Sequence, residues 1–165
     1  MAAVMKHGVG TASQTPLGQE LQRQIANAFV LFGNYKHYHW QTYGPLFRDL
    51  HVLFDQFAKE TLVNVDHFAE RIHVIGADLL GHPIAATGLA NVQVAATHST
   101  MRAMVEEAVR NVLVVVADLR EAGRIAVEQD DHATAQRMTQ AVRVYEQHKW
   151  WLRDILNKRE GPYLV

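Results

Sequence analysis

The stretch KHYHWQTYGPLFRDLHVLFDQFAKETLVNVDHFAERIHVIG, residues 36–76, organises this chain. It breaks once, at Gly44-Pro45, and from Leu46 to Ile75 it contains no other glycine or proline. Such a run predicts one long helix, roughly 45 Å from end to end at about 1.5 Å per residue. Four candidate metal ligands sit on it: His51, Asp55, Asp66 and Glu70. At about 100° per residue, with His51 at zero, Asp55 falls near ~40°, Asp66 near ~60° and Glu70 near ~100°, so all four share one face.

These four cannot share one metal within one chain. His51 and Asp66 are roughly 22 Å apart along the axis, whereas a metal–ligand bond is about 2 Å. Their positions are nonetheless symmetric about residues 60 and 61. A second copy laid antiparallel across a two-fold axis there would set His51 against Glu70 of the partner subunit, and Asp55 against Asp66 of the partner subunit. A two-fold contact is isologous, so the site appears twice. The spacing therefore points to two mixed histidine–carboxylate sites shared between subunits. A solvated face of an amphipathic helix also carries acids and histidines, and spacing alone leaves that reading open. Asp55 follows Leu53-Phe54, and Asp66 follows Val63 and Val65. Acids in such apolar company need a partner, a metal or water.

Composition narrows the class. The 165 residues suffice for one domain with a sizeable core. Hydrophobic residues make up 48% and charged residues 20%, as in a soluble globular protein. The net charge of −1 gives no general case for nucleic acid or membrane surfaces. There is no cysteine, which excludes disulfides, thiolate zinc sites and thiol catalysis and is compatible with a reducing compartment. No apolar run approaches a membrane span, and residues 1–14 lack the apolar core of a signal peptide. The expectation is a cytoplasmic protein. Ten histidines without cysteine mean that a transition metal would be held by nitrogen and oxygen.

Residues 1–15 read as a mobile tail leading to Thr15-Pro16, an N-cap followed by proline at the first helical position. A first helix is expected from about Pro16 to Thr42, with Leu21, Ile25, Phe29 and Phe32 as its core stripe. The second follows the Gly44-Pro45 turn. The segment from Ala77 to His98 is a crossover with a short helix expected near Leu89–Ala95. A third helix is expected from Thr100 to Glu128, buried through Val105, Val109, Val112, Val116 and Leu119. A fourth starts at Asp130-Asp131 and runs to about Lys158, buried through Met138, Val142, Tyr145, Trp150 and Ile155; Gly161-Pro162 ends it. Four helices with one long connection between the second and third make an all-α, four-helix bundle of ferritin-like connectivity, with residues 16–165 as its domain.

His39-Trp40, Gly44, Phe47, Leu50-His51, Phe54-Asp55, Asp66 and Ala69-Glu70-Arg71 stand in the order and spacing of the signature of Dps-type mini-ferritins, DNA-binding proteins from starved cells. His148 and Trp150-Trp151-Leu152-Arg153 are similar to that family's last helix. The resemblance, over residues 16–158, implies a homododecamer of 23 symmetry built from two-fold dimers. Each interface would carry two ferroxidase centres, with His39, His51 and Asp55 from one subunit and Asp66 and Glu70 of the partner subunit. It implies that iron(II) is oxidised there, by hydrogen peroxide in preference to oxygen, and stored as iron(III) mineral. Imidazole suits Fe(II), and hard carboxylates suit Fe(III). The resemblance makes Trp40 a candidate sacrificial electron donor; a packed aromatic at a helix end is the other reading.

Departures are visible. Val52 and Gln56 stand where relatives place mineral-nucleating acids. The start of helix four, which lines an acidic three-fold pore in relatives, keeps Glu128, Asp130 and Asp131, but Gln136 and Gln140 replace acids. Weaker iron entry and nucleation are expected. His73, three residues after Glu70, is a candidate outer-shell group. Glu70 and His73 also match the Glu-x-x-His pattern of intrasubunit di-iron bundles, but that needs a second copy, and Glu146 and His148 have the wrong spacing. His148 is expected to pack or hydrogen-bond in the bundle, with the iron site as its alternative. His37, His67, His82, His98 and His132 form no constellation.

Three functions compete. The first is a peroxide-consuming ferroxidase and iron store that protects against oxidative damage. The second is a DNA-compacting, nucleoid-associated protein. The third is a dodecamer that binds zinc or another divalent ion without turnover, zinc accepting the same ligands. DNA binding is expected to be weak or absent. Residues 1–14 offer only Lys6 as a fixed charge, and Glu160 and the chain carboxylate offset Lys158 and Arg159.

Overall fold

The computed structural model describes residues 15–79, 81–82, 85–97 and 100–157. The expected tail over residues 1–14, the Gly161-Pro162 stop and His98 lie outside the described residues, while the fourth helix ends at Ile155, short of the end expected near Lys158. The helices are α1 (Pro16–Gln41), α2 (Phe47–Val74), α3 (Met101–Glu128) and α4 (His132–Ile155). Among the described residues there is no strand, and no helix is long and apolar enough to cross a membrane.

Local chemistry sets each boundary. Thr15 caps α1, its Oγ1 accepting from Gly18 N at 3.1 Å, with Pro16 in the first turn. Gly44, at φ 78°, turns the chain between α1 and α2. At the end of α2, Gly76 again takes φ 78°. There Ala77 N donates to Ile72 O and Gly76 N to His73 O, both at 3.0 Å, closing the last carbonyls in a Schellman arrangement. The same arrangement ends α3, with Asp130 at φ 59° in place of glycine. Asp131 N donates to Ala126 O at 2.9 Å, and the Asp131 carboxylate then caps α4 through Thr134 N at 2.9 Å. One residue thus ends one helix and begins the next.

α1 packs along α2 and α3 along α4, with further contacts of α1 to α3 and α2 to α4. The core is aromatic at one level, where Tyr35, Tyr38, Phe54, Phe57 and Tyr145 are fully buried. The expected face of α4 needs one correction. Trp150 is 58% exposed, while Tyr145, His148 and Leu152 point inward at helical spacing. Trp151 takes the packed position instead, stacking on Phe57 at 5.8 Å. Phe29, Phe32, Val109, Val142 and Ile155 flank the core rather than filling it.

The crossover also differs from expectation. Its helical turn is a 3-10 segment at Ala85–Leu89, and residues 92–97 are not helical. Side chains of α1 and α3 pin this stretch. Asn27 Oδ1 accepts from Asn91 N at 2.8 Å, Asn34 Oδ1 accepts from Ala95 N at 2.8 Å, and Glu107 accepts from Ala96 N at 3.1 Å. Asn34 Nδ2 also donates to Gln93 O. These buried side chains satisfy backbone groups that a helix would have satisfied itself, so a non-helical path wins.

Candidate metal centre

The Gly44-Pro45 turn folds the end of α1 back onto the start of α2 and brings His39 against His51. Their rings stack at 3.6 Å, 23° from parallel. His39 Nδ1 lies 2.7 Å from His51 O, and His51 Nδ1 lies 2.8 Å from His39 O. A carbonyl only accepts, so each Nδ1 carries the hydrogen. That leaves Nε2 of each ring as the nitrogen available to a metal. Backbone carbonyls often set the tautomer of a ligand histidine in this way. Thr42 Oγ1 donates to the same His39 carbonyl at 3.0 Å, and Phe47 stacks on His51 at 5.1 Å.

Asp55 lies one turn beyond His51 on α2. Lys36 Nζ donates to its Oδ1 at 2.8 Å, and Lys59 Nζ lies 2.7 Å from its Oδ2. The hydrogen bond from Lys36, then that from Lys59, holds the carboxyl well below the usual carboxylate range. The ammonium of Lys36 also sits 5.7 Å from the ring centre of Trp40, which is 67% exposed. Lys36 and Lys59 are the residues that sequence reasoning missed. Lys59 stands four residues after Asp55, a helical pairing distance. Lys36 leaves no such signal, because its contact spans two helices.

Asp66 and Glu70 are exposed on α2, about three and about four turns beyond Asp55. Among the described residues, no three His, Asp or Glu side chains of the single chain gather in a metal-binding group. His73 is exposed and lies 3.9 Å from Asp78. His148 is fully buried, with Nε2 2.7 Å from Glu60 and Nδ1 3.1 Å from the Tyr35 hydroxyl, so both ring nitrogens are engaged within the bundle. Of the candidate pore acids, Asp131 is held by Arg71 at 2.7 and 2.9 Å. Asp130 is 3.1 Å from His132, and Glu128 pairs with Arg124. Around the ligand face of α2, Phe47, Val52, Leu62 and Val63 are exposed apolar side chains.

The fold has known counterparts. A family model described as a ferritin-like domain matches residues 18–161. The chain is 32% identical to DNA protection during starvation protein 2 of Bacillus anthracis, over 84% of this chain and 94% of that protein. The X-ray structure of Dps from Thermosynechococcus elongatus superposes with a TM-score of 0.83 at 36% identity, covering 87% of this chain and 91% of that one. A Dps protein from Bacillus brevis gives 0.80 at 31% identity, with 84% and 93% covered. With its all-α bundle, its long crossover and its paired histidines at the α1–α2 turn, the chain belongs to the ferritin-like Dps family.

Proposed function

We propose that this protein is a ferroxidase and iron store whose substrate is Fe(II), bound at sites shared across a two-fold dimer. His39, His51 and Asp55 supply one half of each site, and the partner subunit's Asp66 and Glu70 supply the other. The observation that carries this reading is the reciprocal His39–His51 pair. Each ring spends Nδ1 on the other's carbonyl and leaves Nε2 for a metal, His51 stands one helical turn before Asp55, and among the described residues no third ligand of the same chain gathers with the pair. The exposed apolar side chains on the ligand face of α2 favour the second copy, since a flush contact there would remove them from water. Six such dimers would close the 23-symmetric dodecamer.

The residues support a division of labour. The imidazoles hold Fe(II) as neutral ligands, while the carboxylates add the charge that favours Fe(III). Two Fe(II) ions each yield one electron; hydrogen peroxide takes both as its O–O bond breaks, and with two protons from solvent its oxygens leave as two waters. Using peroxide in such paired steps limits hydroxyl radical, so the protein protects as it stores. Lys36 and Lys59 occupy Asp55 before iron arrives, so binding requires an ammonium to move aside. Protection of DNA would then be chemical, with weak or absent DNA binding at physiological salt, given a net charge of −1.

An anaerobic Fe(II) titration followed by peroxide tests the reading. Saturable binding and rapid peroxide-dependent oxidation are expected, both lost in His51→Ala with Asp55→Ala. Binding without oxidation would indicate a metal-holding protein instead. Wild-type oxidation rates in the double variant would show that the site lies elsewhere.

A further inference from the structure

Tyr35 on α1, Glu60 on α2 and His148 on α4 form a hydrogen-bonded series across the bundle that the proposed iron chemistry does not use. Tyr35 and His148 are both 0% exposed. His148 Nε2 is 2.7 Å from Glu60 Oε2, and Nδ1 is 3.1 Å from the Tyr35 hydroxyl. The proton positions follow from chemistry. Glu60 is held below its ordinary carboxyl range by the hydrogen bond from His148, so it is ionised and only accepts. Burial keeps His148 neutral, outweighing the pull of Glu60. Its single proton must therefore sit on Nε2, which leaves Nδ1 as acceptor and Tyr35 as donor. A buried phenol aimed at an unprotonated imidazole, with an anion behind that imidazole, can lose an electron and a proton together.

A path for the electron is also present. Phe57 lies 5.3 Å from Tyr35 and 5.8 Å from Trp151, and Trp151 lies 6.4 Å from Trp150, which is exposed in the single chain. Only one ring separates the buried tyrosine from the tryptophan pair.

We propose that Tyr35 is a redox-active tyrosine that refills an oxidised Trp150–Trp151 pair and passes its proton to His148. The step balances. A one-electron oxidant of the hydroxyl-radical class takes an electron from an indole. One electron then crosses from Tyr35 by way of Phe57 and restores the indole, which regains from solvent any proton it had lost. The Tyr35 O–H bond breaks, and its proton forms the N–H bond at His148 Nδ1. The products are a neutral phenoxyl radical and an imidazolium paired with the Glu60 carboxylate. The use of this store, holding stray oxidising equivalents inside the protein, rests on the peroxide reading above. The electron transfer does not.

The test therefore leaves iron out. Pulse radiolysis of the iron-free assembly with azide radical oxidises indoles selectively. First-order decay of the indolyl absorption into a phenoxyl absorption, independent of protein concentration, is expected. Tyr35→Phe should lose most of the phenoxyl signal. His148→Gln can accept the hydrogen bond but not the proton, and should slow the growth by roughly tenfold or more. A histidine that only fills a polar gap would alter stability and leave this rate unchanged. Indolyl radicals that vanish only by second-order recombination, or equal phenoxyl growth in Tyr35→Phe, would overturn the proposal. If Tyr35→Phe does not assemble, an unchanged rate in His148→Gln overturns it alone.

Discussion

Lys36 Nζ lies 2.8 Å from Asp55 Oδ1, joining two helices across 19 residues of chain at the point where the proposed iron site begins. Lys59 takes the other carboxylate oxygen. A carboxylate so occupied is a preformed ligand with a competitor already bound. Incoming Fe(II) gains the carboxylate only by displacing an ammonium.

Replacing Lys36 with methionine keeps most of the apolar stem and removes one of the two competing ammoniums, leaving Lys59 on the other oxygen. Partly exposed ion pairs of this kind are worth about 1 kcal/mol or less, so Fe(II) should bind up to about fivefold more tightly. Anaerobic calorimetric titration checks this. Weaker binding in Lys36→Met would mean that the lysine orients Asp55 rather than opposing the metal.

Leu62, 41% exposed on the ligand face of α2, should lie close to the proposed two-fold axis. Leu62→Glu places like charges opposite each other across that axis. Sedimentation should show loss of the dimer-based assembly, and iron oxidation should fall with it. Full oxidation by a folded monomer would remove the shared-site model.

Stability should depend on pH through His148. Burial lowers its pKa in the fold from the ordinary 6.5, so the unfolded chain binds more protons in the window below that value. The contribution is fully present above about pH 6.5 and is lost as pH falls through the window towards the folded pKa. Asp55 and Glu60, both held below their ordinary values, lose theirs only at lower pH, below about 4. Urea midpoints at fixed protein concentration should fall between about pH 7 and about pH 5. His148→Gln should flatten that slope; an unchanged slope would assign it to other histidines.

Asp131 ends α3, caps α4 and accepts two bonds from Arg71. Asp131→Ala removes the cap and leaves a half-buried guanidinium without its partner, a loss of about 2 kcal/mol. Asp131→Asn, which still caps, should recover about half of it. A variant as stable as the wild type in urea would contradict the role given to this residue.

Much of this protein is legible in its residues alone. Glycine and proline at Gly44, Pro45 and Gly76, the cap at Thr15, and apolar spacing at three and four residues are local signals, and they place all four helices to within a few residues. His39 and His51 are tied by a short turn, so their meeting is nearly local too. The tertiary structure alone decided the rest. It put Trp150 outside and Trp151 inside, because two neighbouring helix positions differ by about 100° and only the packed partner, Phe57, selects between them. It left residues 92–97 out of any helix, because Asn27 and Asn34 on α1 take over backbone hydrogen bonds there. It set Lys36 on Asp55, and Tyr35, Glu60 and His148 in series, through contacts between residues 19 to 113 positions apart. Periodicity shows which face of a helix is buried; which side chains meet there depends on the register between helices, and packing sets that register.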